Sequence, residues 1–280
     1  MQIISADMGR SESKFYTNNT KLKFKSVVGE WHERNLNTDG SYDVNIDGIN
    51  YFIGDLALRE SYLPREMTTE SKIHEETKLL FLTGIGQLAQ DTDIMIITGL
   101  PINSFNPKVR DDIVNLLKGR HVVTFAGYKP KQFFIDKIVV VPEGGGIYFD
   151  ELKRNPQLQY GKKRVIDVGS RTINVCTIDN GNYVNKDSDT LNYGAIKLKN
   201  AKANPEEFAR KLVADLSSKW MDYDEDNDSV ILSGGGAILL EELMKPHFKN
   251  MTVPNDPVFS NAFGFYNLGV AKYGKAVGDD

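Results

Sequence analysis

The sequence predicts an α/β fold built from two related halves around a cleft, because one motif occurs twice. Residues 3–17 contain an apolar run that ends in Asp-x-Gly, a polar turn and a second β-prone run, and residues 165–178 repeat this pattern. In each half a helical pattern and a buried strand follow, and that strand ends in glycine, near residues 99 and 234. Ligands in α/β sheets bind outside the carboxyl ends of strands, so we expect these strand ends to line the cleft.

Length and composition limit the class of protein. The 280 residues are enough for one large domain or two smaller ones, and 40% hydrophobic and 26% charged residues are typical of a soluble globular chain. A net charge of −4 argues against a protein that binds nucleic acid over its whole surface. A local basic patch around Lys21, Lys23 and Lys25 stays open.

The cysteine content indicates the compartment, and the histidine spacing bears on metal binding. The single cysteine, Cys176, excludes an internal disulfide framework and favours a reducing interior, so we expect a cytoplasmic protein. Because Cys176 lies in a β-prone run, we interpret it as a small buried residue rather than a nucleophile. No signal peptide and no apolar run long enough to span a bilayer are visible, so we expect no membrane contact. Zinc-ligand spacing is absent from the four histidines, His32, His74, His121 and His247.

The first half is predicted to add an insertion, two helices and two strands to its opening hairpin. Asp39-Gly40 and Asp47-Gly48 are turn signals typical of short strands within the insertion. The helices follow from apolar residues at helical spacing, and the strands from continuous apolar runs. In chain order we predict the insertion at 20–76 with a β-prone run at 51–53, the helix 71–90, the strand 94–97, a helix around 113–117 and the apolar run 138–141, which ends in Pro142-Glu143-Gly144-Gly145-Gly146.

The second half repeats this order in a shorter form. Asn204-Pro205 predicts a helix start, because asparagine is a good N-cap and proline fits the first helical position. We interpret the acidic run 222–228 as a solvated turn. In chain order we predict the hairpin of Asp167, a loop at 194–204, the helix from Pro205 with Phe208, Leu212, Leu216 and Trp220 on one face, the buried strand 230–232, a helix at 239–243 and a helix at 261–270.

The two Asp-x-Gly hairpins predict a site for a phosphate with its metal ion. A carboxylate at a strand end, beside the backbone N–H groups of a turn, suits both partners. Two such hairpins that face each other, at Asp7 and Asp167, would close on a nucleoside triphosphate from both sides. The alternative for each carboxylate is an ordinary turn at a strand end, and the paired occurrence favours the functional interpretation.

The chain resembles the actin-like ATPase superfamily over nearly its whole length. The resemblance implies an actin-like fold, in which two related RNase H-like α/β domains surround a nucleotide cleft. Five segments match in order: the first phosphate motif at 7–14, the first connecting segment at 97–101 with 141–143, the second phosphate motif at 167–172, the adenosine motif at 232–237 and the second connecting helix at 261–269.

Within the superfamily the chain is most similar to the bacterial plasmid-segregation actins of the ParM type. Only about forty residues separate the second hairpin from the adenosine strand, so the lobe called subdomain IIB is expected to be reduced or absent, as in the AlfA-type segregation actins. The first implied domain is 1–155, with subdomains IA and IB, IB lying at approximately 20–76. The second implied domain is 156–257, and a C-terminal helix, 258–280, is expected to pack back on the first domain.

The resemblance implies catalytic roles for Asp7, Asp167 and Glu143 and a phosphate-binding role for Lys14. Asp7 and Asp167 would hold Mg²⁺, Asp7 through water, because Mg²⁺ keeps several waters and prefers carboxylates together with phosphates. Lys14 lies seven residues after Asp7, as in actins, and would neutralise the β- and γ-phosphates; the alternative is a solvated hairpin lysine. Glu143 would position the attacking water, or would instead complement the dipole of the helix that follows it.

The remaining implied contacts come from turns and one helix. Glycine lets the backbone approach an anion without a blocking Cβ. Arg10 departs from the family pattern, where a small residue is commoner. Glu207 and Lys211 would reach the ribose or base, or would form a surface i,i+4 pair. The implied contacts are Gly9, Arg10 and Ser11 to the β-phosphate, Gly169, Ser170, Arg171 and Thr172 to the γ-phosphate, and Gly234, Gly235, Gly236, Glu207 and Lys211 to the base and ribose.

The implied function is that of a filament-forming ATPase that binds ATP or GTP with Mg²⁺ and segregates plasmid DNA through a DNA-bound adaptor protein. Its partners would be other copies of itself in a helical filament and that adaptor, without sequence-specific DNA contact of its own. Two alternatives stay open. One is a sugar- or acetate-type kinase of the same superfamily, which needs an additional carboxylate base. The other is a non-polymerising ATP-binding protein of the cell-division or anchor class.

Overall fold

The computed structural model describes residues 1–35, 42–67, 72–199 and 203–274. These residues form two compact units, each with its own hydrophobic core. The first unit contains residues 1–99, 106–140 and the described part of the segment that begins at 269. The second unit contains residues 100–105 and 141–268.

The first unit is built on a sheet of ten strands. Their bounds are β1 (Gln2–Met8), β2 (Glu12–Thr17), β3 (Thr20–Lys25), β4 (Val27–Glu30), β5 (Asp43–Ile46), β6 (Ile49–Ile53), β7 (Arg65–Glu66), β8 (Asp93–Leu100), β9 (Gly119–Phe125) and β10 (Lys131–Pro142). The order across the sheet is β3-β2-β1-β8-β10-β9-β5-β6-β4-β7. The strand that carries Asp7 therefore lies between its hairpin partner β2 and the parallel strand β8.

Three helices belong to the first unit: α1 (Gly54–Glu60), α2 (Glu75–Leu88) and α3 (Pro107–Leu117). Helix α2 confirms the helix predicted over 71–90. It packs closely on the sheet, because a Cβ at Gly84 would come within 2.3 Å of the Phe15 ring. Helix α3 confirms the second predicted helix, and its N-cap Asn106 accepts a hydrogen bond from the N–H of Val109.

The second unit contains a sheet of six strands. They are β11 (Lys162–Val168), β12 (Ile173–Asp179), β13 (Asn182–Tyr183), β14 (Asp189–Leu191), β15 (Ser229–Ser233) and β16 (Met251–Thr252). The order is β13-β12-β11-β15-β16, and β14 also pairs with β12. Asp167 thus lies on the central strand of its sheet, just as Asp7 lies on an interior strand of the first.

The helices of the second unit are α4 (Gly145–Arg154), α5 (Pro205–Lys219), α6 (Ala237–Met244) and α7 (Ser260–Tyr273), whose last residues belong to the first unit. The start of α5 is confirmed, because the Asn204 side chain accepts hydrogen bonds from the N–H groups of Glu206 and Glu207. Trp220, predicted on the helix face, is the buried C-cap residue. Among the helices of the described ranges, none is long and apolar enough to cross a membrane.

The internal repeat predicted from the sequence is confirmed in the two hairpins. Strand β1 pairs antiparallel with β2 and parallel with β8, and β11 pairs in the same way with β12 and β15. Asp7 lies opposite Lys14, and Asp167 lies opposite Asn174 at the corresponding position. The two motifs therefore share one local architecture, each within its own unit.

Successive side chains of β11 pack in two different hydrophobic clusters. Ile166 packs in the larger cluster with α5 and α6, whereas Val165 packs in a second cluster with Ile147 of α4 and with Cys176. Cys176 is fully buried, as predicted, and burial raises the pKa of its thiol to about 12. A thiol of this kind is inert at neutral pH.

The predicted domain boundaries at 155 and 257 stay predictions. The compact units change at 140/141 and 268/269 instead, because α4 packs against β11 and β12 of the second unit. Between β12 and β15, where the reduced lobe is expected, the described residues form two short strands, two short 3-10 helices and α5. The loop predicted at 194–204 is wrong in part, because Ala195–Lys199 is one of those 3-10 helices.

Two of the predicted turns have different outcomes. Asp47 and Gly48 both have positive φ, 49° and 95°, and join β5 to β6, which confirms the second turn signal. Asp39-Gly40 lies outside the described residues, as does the predicted helix end at 275–280.

The prediction that 222–228 is a solvated turn is wrong in part, because the mostly exposed turn ends in the buried Asp228 and binds a buried arginine. Arg164 on β11 is fully buried; its Nε donates to Asp228 Oδ2 at 2.7 Å and its Nη2 to Asp222 Oδ1 at 2.8 Å. Asp228 is itself buried. Hydrogen bonds from Lys162 and Arg164 hold the pKa of the Asp222 carboxyl well below its usual range. The guanidinium also lies 5.2 Å from the centre of the Trp220 ring.

We expect Asp228→Ala to lower the free energy of unfolding of the second unit by about 3–5 kcal/mol, because it leaves a buried guanidinium without its buried carboxylate. Urea unfolding followed by Trp220 fluorescence in a Trp31→Phe background measures this. Asp226→Ala is the matched control, since Asp226 pairs with Lys249 on the surface and its loss should cost less than about 1 kcal/mol. Equal effects of the two variants would contradict a structural role for Asp228.

Candidate functional site

The first hairpin brings Asp7 and Lys14 together. Asp7 lies near the end of β1 with 8% of its surface exposed, and Lys14 Nζ is 3.2 Å from its Oδ2. The turn that follows is closed by the Gly9 N–H, which donates to the Asp7 carbonyl at 3.1 Å. The Ser26 hydroxyl donates to the Gly9 carbonyl at 2.6 Å. The Asp7 carboxylate and the Lys14 ammonium group therefore lie beside a turn that hydrogen bonds hold in one conformation.

The other residues predicted in this hairpin occupy the same turn. Gly9, Arg10 and Ser11 connect β1 to β2, and all three are partly buried. The Ser26 N–H donates to the Ser11 carbonyl at 3.0 Å. The structure thus places every residue predicted from the first phosphate motif in one continuous segment with Asp7 and Lys14.

The second hairpin has the same closing bond. The Gly169 N–H donates to the Asp167 carbonyl at 3.1 Å, and Asp167 has 7% of its surface exposed. The predicted residues Ser170, Arg171 and Thr172 complete the turn and are partly buried.

The segment after β14 fixes this turn from one side. The Ala195 N–H donates to the Gly169 carbonyl at 2.9 Å, and the Ile196 N–H donates to the Ser170 carbonyl at 2.8 Å. A Cβ at Gly194 would lie 2.6 Å from both carbonyl oxygens, so glycine is required for this close approach. The shape of the second turn is therefore set by residues distant in sequence.

The Asp167 carboxylate is held by Asn261, at the start of α7. The Asn261 Nδ2 donates to Asp167 Oδ2 at 2.8 Å, and the Asn261 Oδ1 accepts a bond from the Gly144 N–H at 3.3 Å. Asn261 is 5% exposed. One buried amide thus connects Asp167 to the residue that follows Glu143.

The glycine run at 234–236 packs against the same hairpin. Gly234 has a φ of +84°, and a Cβ there would lie 2.5 Å from Asp167 Oδ1. The Gly236 N–H donates to the Val168 carbonyl at 2.9 Å. A Cβ at Gly235 meets nothing within 4 Å, so this glycine faces open space. Gly234 and Gly236 are required by the hairpin, whereas Gly235 leaves room beside it.

Glu143 is positioned by backbone and side-chain bonds. Its N–H donates to the Leu100 carbonyl at 2.8 Å, and its Oε2 accepts a hydrogen bond from Asn174 Nδ2 at 2.7 Å. The carboxylate is buried and is not the N-cap of α4, which is Gly144. Gly144 has a φ of +85°, and a Cβ there would lie 3.0 Å from Cys176 Cβ. Glu143 directly precedes the N-cap of α4, so both interpretations, water positioning and complementing the dipole of that helix, stay predictions.

Glu207 and Lys211 lie apart from these bonds, on the exposed side of α5. Lys211 Nζ pairs with Asp215 at 2.9 Å, so the surface i,i+4 pair joins Lys211 to Asp215 and not to Glu207. Lys211 Nζ also lies 4.5 Å from the centre of the Tyr193 ring. The Glu207 N–H contacts the N-cap Asn204.

Sequence reasoning missed four residues of this region. Asn174 and Asn261 hold the two buried carboxylates, and only Asn174 had a signal, because it follows Asp167 by the same seven residues that separate Lys14 from Asp7. Ile238 and Leu239, on the first turn of α6, are 67% and 58% exposed beside the glycine run.

Each hairpin, taken by itself, offers groups that suit Mg²⁺ together with a phosphate. In the part of the chain that the structure describes, no group of three or more His, Cys, Asp or Glu side chains could hold a metal by itself. Mg²⁺ is usually bound through one or two carboxylates, phosphate oxygens and water. Asp7 and Asp167 each supply one carboxylate beside a glycine turn, and Lys14 supplies a cation for a phosphate.

A family model matches the half of the chain that carries the first hairpin and Glu143. The model described as "Actin like proteins N terminal domain" matches residues 5–146. No curated protein matches the sequence.

Solved structures match nearly the whole chain. The archaeal actin homologue Ta0583 in complex with ADP has a TM-score of 0.80 at 19% identity, covering 97% of this chain and 100% of that one. A 15-stranded ParM filament from Clostridium botulinum has a TM-score of 0.81 at 21% identity, covering 96% and 99%. An AlfA filament bound to AMPPNP has a TM-score of 0.70 at 19% identity, covering 98% and 97%. At these identities the likeness shows the fold.

We expect Gly234→Ala to destabilise the second unit by about 1–3 kcal/mol or more, because the new methyl group meets Asp167 Oδ1 in a left-handed backbone conformation. Gly235→Ala, one residue away and without a neighbour within 4 Å, is the control and should leave stability nearly unchanged. Thermal unfolding of the three proteins measures the difference. A Gly235 variant as unstable as the Gly234 variant would contradict this packing.

Proposed function

The chain belongs to the actin-like proteins, since the family model covers just over half of it, and from this premise we propose that it is a filament-forming ATPase. The predicted α/β, actin-like fold is confirmed by that match and by the solved structures. The observation that carries the proposal is the repeated hairpin: in each unit a buried aspartate lies one residue before the end of an interior strand, and a glycine N–H closes the turn beside it. We propose that each of these turns binds phosphate groups of a nucleotide.

In this proposal each hairpin binds part of the triphosphate. The backbone of Gly9, Arg10 and Ser11 binds the β-phosphate, with Lys14 as a neighbouring cation. The turn of Gly169, Ser170, Arg171 and Thr172 surrounds the γ-phosphate. Asp7 and Asp167 would hold Mg²⁺, which would neutralise phosphate charge when bound. The support for these roles is that each set of residues lies in one turn with its aspartate.

Glu143 is proposed to position the attacking water. Water attacks the γ-phosphorus, the bond from that phosphorus to the bridging oxygen breaks, and the nucleoside diphosphate and inorganic phosphate are released. Phosphoryl transfer needs little covalent help, so most of the rate enhancement comes from alignment. A buried glutamate whose carboxylate is held by Asn174 and whose N–H is bound by Leu100 suits that task.

The base and ribose are proposed to lie beside the glycine run. Gly235 leaves space there, and the exposed side chains of Ile238 and Leu239 offer an apolar surface to a purine. Glu207 and Lys211 supply polar contacts from α5. These residues accommodate ATP or GTP.

Self-assembly is the partner interaction that we propose. Copies that join head to tail make heterologous contacts, which extend without limit. Two of the matching structures are filaments, of ParM and of AlfA, and the AlfA filament is bound to AMPPNP. We further propose that the filament acts in the cytoplasm and moves plasmid DNA through a DNA-bound adaptor protein, without sequence-specific DNA contact of its own and without a membrane.

Glu143→Ala should still assemble with ATP but release phosphate about 100-fold more slowly, so that its filaments persist after assembly. Light scattering and phosphate release with ATP, GTP and a non-hydrolysable analogue measure both properties. Glu242→Ala is the control, because that side chain is 82% exposed on α6, and it should behave as the native chain does.

Three results would count against the proposal. Rapid phosphate release by Glu143→Ala would remove Glu143 from its role. A monomer at every protein concentration, with nucleotide bound, would refute the filament. Nucleotide turnover that depends strictly on an added sugar or acetate would favour the kinase alternative.

A further inference from the structure

The two hairpins differ at one chemically important position. The residue opposite the aspartate is Lys14 in the first hairpin and Asn174 in the second. Lys14 donates to the aspartate of its own hairpin, at 3.2 Å. Asn174 donates to Glu143 instead, at 2.7 Å, while Asp167 is bound by Asn261. The repeat thus places a donor at the same position in both halves, and in the second half this donor serves a different carboxylate.

The orientation of the Asn174 amide follows from its partners. Its Oδ1 accepts a hydrogen bond from the Thr190 hydroxyl at 2.7 Å and lies 3.5 Å from the Ile102 N–H. A backbone N–H can only donate, so the oxygen of the amide must be on that side. The Nδ2 is therefore directed to Glu143, and it can only donate.

Neighbouring residues prevent this amide from turning. Asn174 is 2% exposed. The Thr190 Oγ1 accepts a hydrogen bond from the Asn103 N–H at 3.3 Å, and the Asn103 side chain donates to Asp189 at 2.9 Å. Lys219, in the last turn of α5, pairs with Asp189 at 3.3 Å. Residues of β12, β14, α5 and the segment 102–104 thus fix one amide.

We propose that Asn174 is a positioning residue that holds the Glu143 carboxylate in one orientation for hydrolysis. This inference rests on the proposed ATPase function. The hydrogen bond from Asn174 Nδ2 at 2.7 Å and the burial of both side chains limit the directions in which the Glu143 carboxylate can point. Asn174 acts through Glu143 and does not itself touch the reacting atoms. The Thr190 hydroxyl donates to the amide oxygen of Asn174 and so holds the amide in place.

Asn174→Asp is the sharpest test, because it changes the donor to a second carboxylate of the same shape beside Glu143. Like charges at this distance cannot both be ionised easily, so the acidic limb of the kcat–pH profile should move to higher pH. At pH 7 we expect kcat to fall by about 10- to 100-fold and to recover partly in alkaline buffer, with KM within about threefold of the native value. Asn182→Asp, which adds the same charge at an exposed position on β13 of the same sheet, should leave the profile unchanged.

A pair of variants at Thr190 tests the relay without adding charge. Thr190→Val removes the hydroxyl that orients the amide, and kcat should fall by about 3- to 10-fold, whereas Thr190→Ser should restore it. Circular dichroism and the binding of Mg·ATP show that each variant is folded. If Asn174→Asp does not fold, the Thr190 pair decides the question.

The outcomes separate this inference from the proposed function. If the native chain hydrolyses ATP and Glu143→Ala does not, an unshifted pH profile for Asn174→Asp, or equal rates for Thr190→Val and Thr190→Ser, overturns the role of Asn174 and leaves the ATPase intact. If the native chain hydrolyses no nucleotide at any pH, the proposed function fails and this inference fails with it. A shifted profile together with rescue by serine supports both.

Discussion

The buried carboxylate of Asp167 is the constraint on which the candidate site of the second unit depends. An anion in a protein interior must be compensated by hydrogen bonds, and Asn261 supplies one at 2.8 Å. The same asparagine accepts the Gly144 N–H, and Gly234 is pressed against the other carboxylate oxygen. Three segments far apart in sequence are therefore fixed by one acidic group. These contacts also fix the position of the turn that contains Glu143.

The elements and both aspartates could be predicted from sequence because their signals are local. A strand that ends in Asp-x-Gly and a helix with an asparagine cap are read within a few residues, and both are confirmed. The partners of buried charges could not be predicted in this way. Arg164 binds Asp228 across 64 residues, and Asn261 binds Asp167 across 94. The acidic run was misread for this reason, since acidic residues near one another in sequence usually remain in water.

The two hairpins share their backbone structure but differ in the side chain that lies opposite the aspartate. The closing bond from glycine N–H to aspartate carbonyl is 3.1 Å in both hairpins, so the backbone of the turn is a shared requirement. The side chain opposite the aspartate is not shared. A lysine brings a full positive charge, whereas an asparagine brings a neutral donor with fixed direction. The two halves of the chain therefore differ chemically at the position opposite the aspartate.

The burial of Cys176 gives the native chain a reporter of its own. The thiol is fully covered, its pKa is raised to about 12, and its Cβ packs under the backbone of Gly144. A maleimide or disulfide reagent can reach the sulfur only when the hydrophobic cluster around it opens. The rate of thiol labelling thus reports local opening of the core that packs against the turn beside Glu143, without an introduced dye or a changed residue.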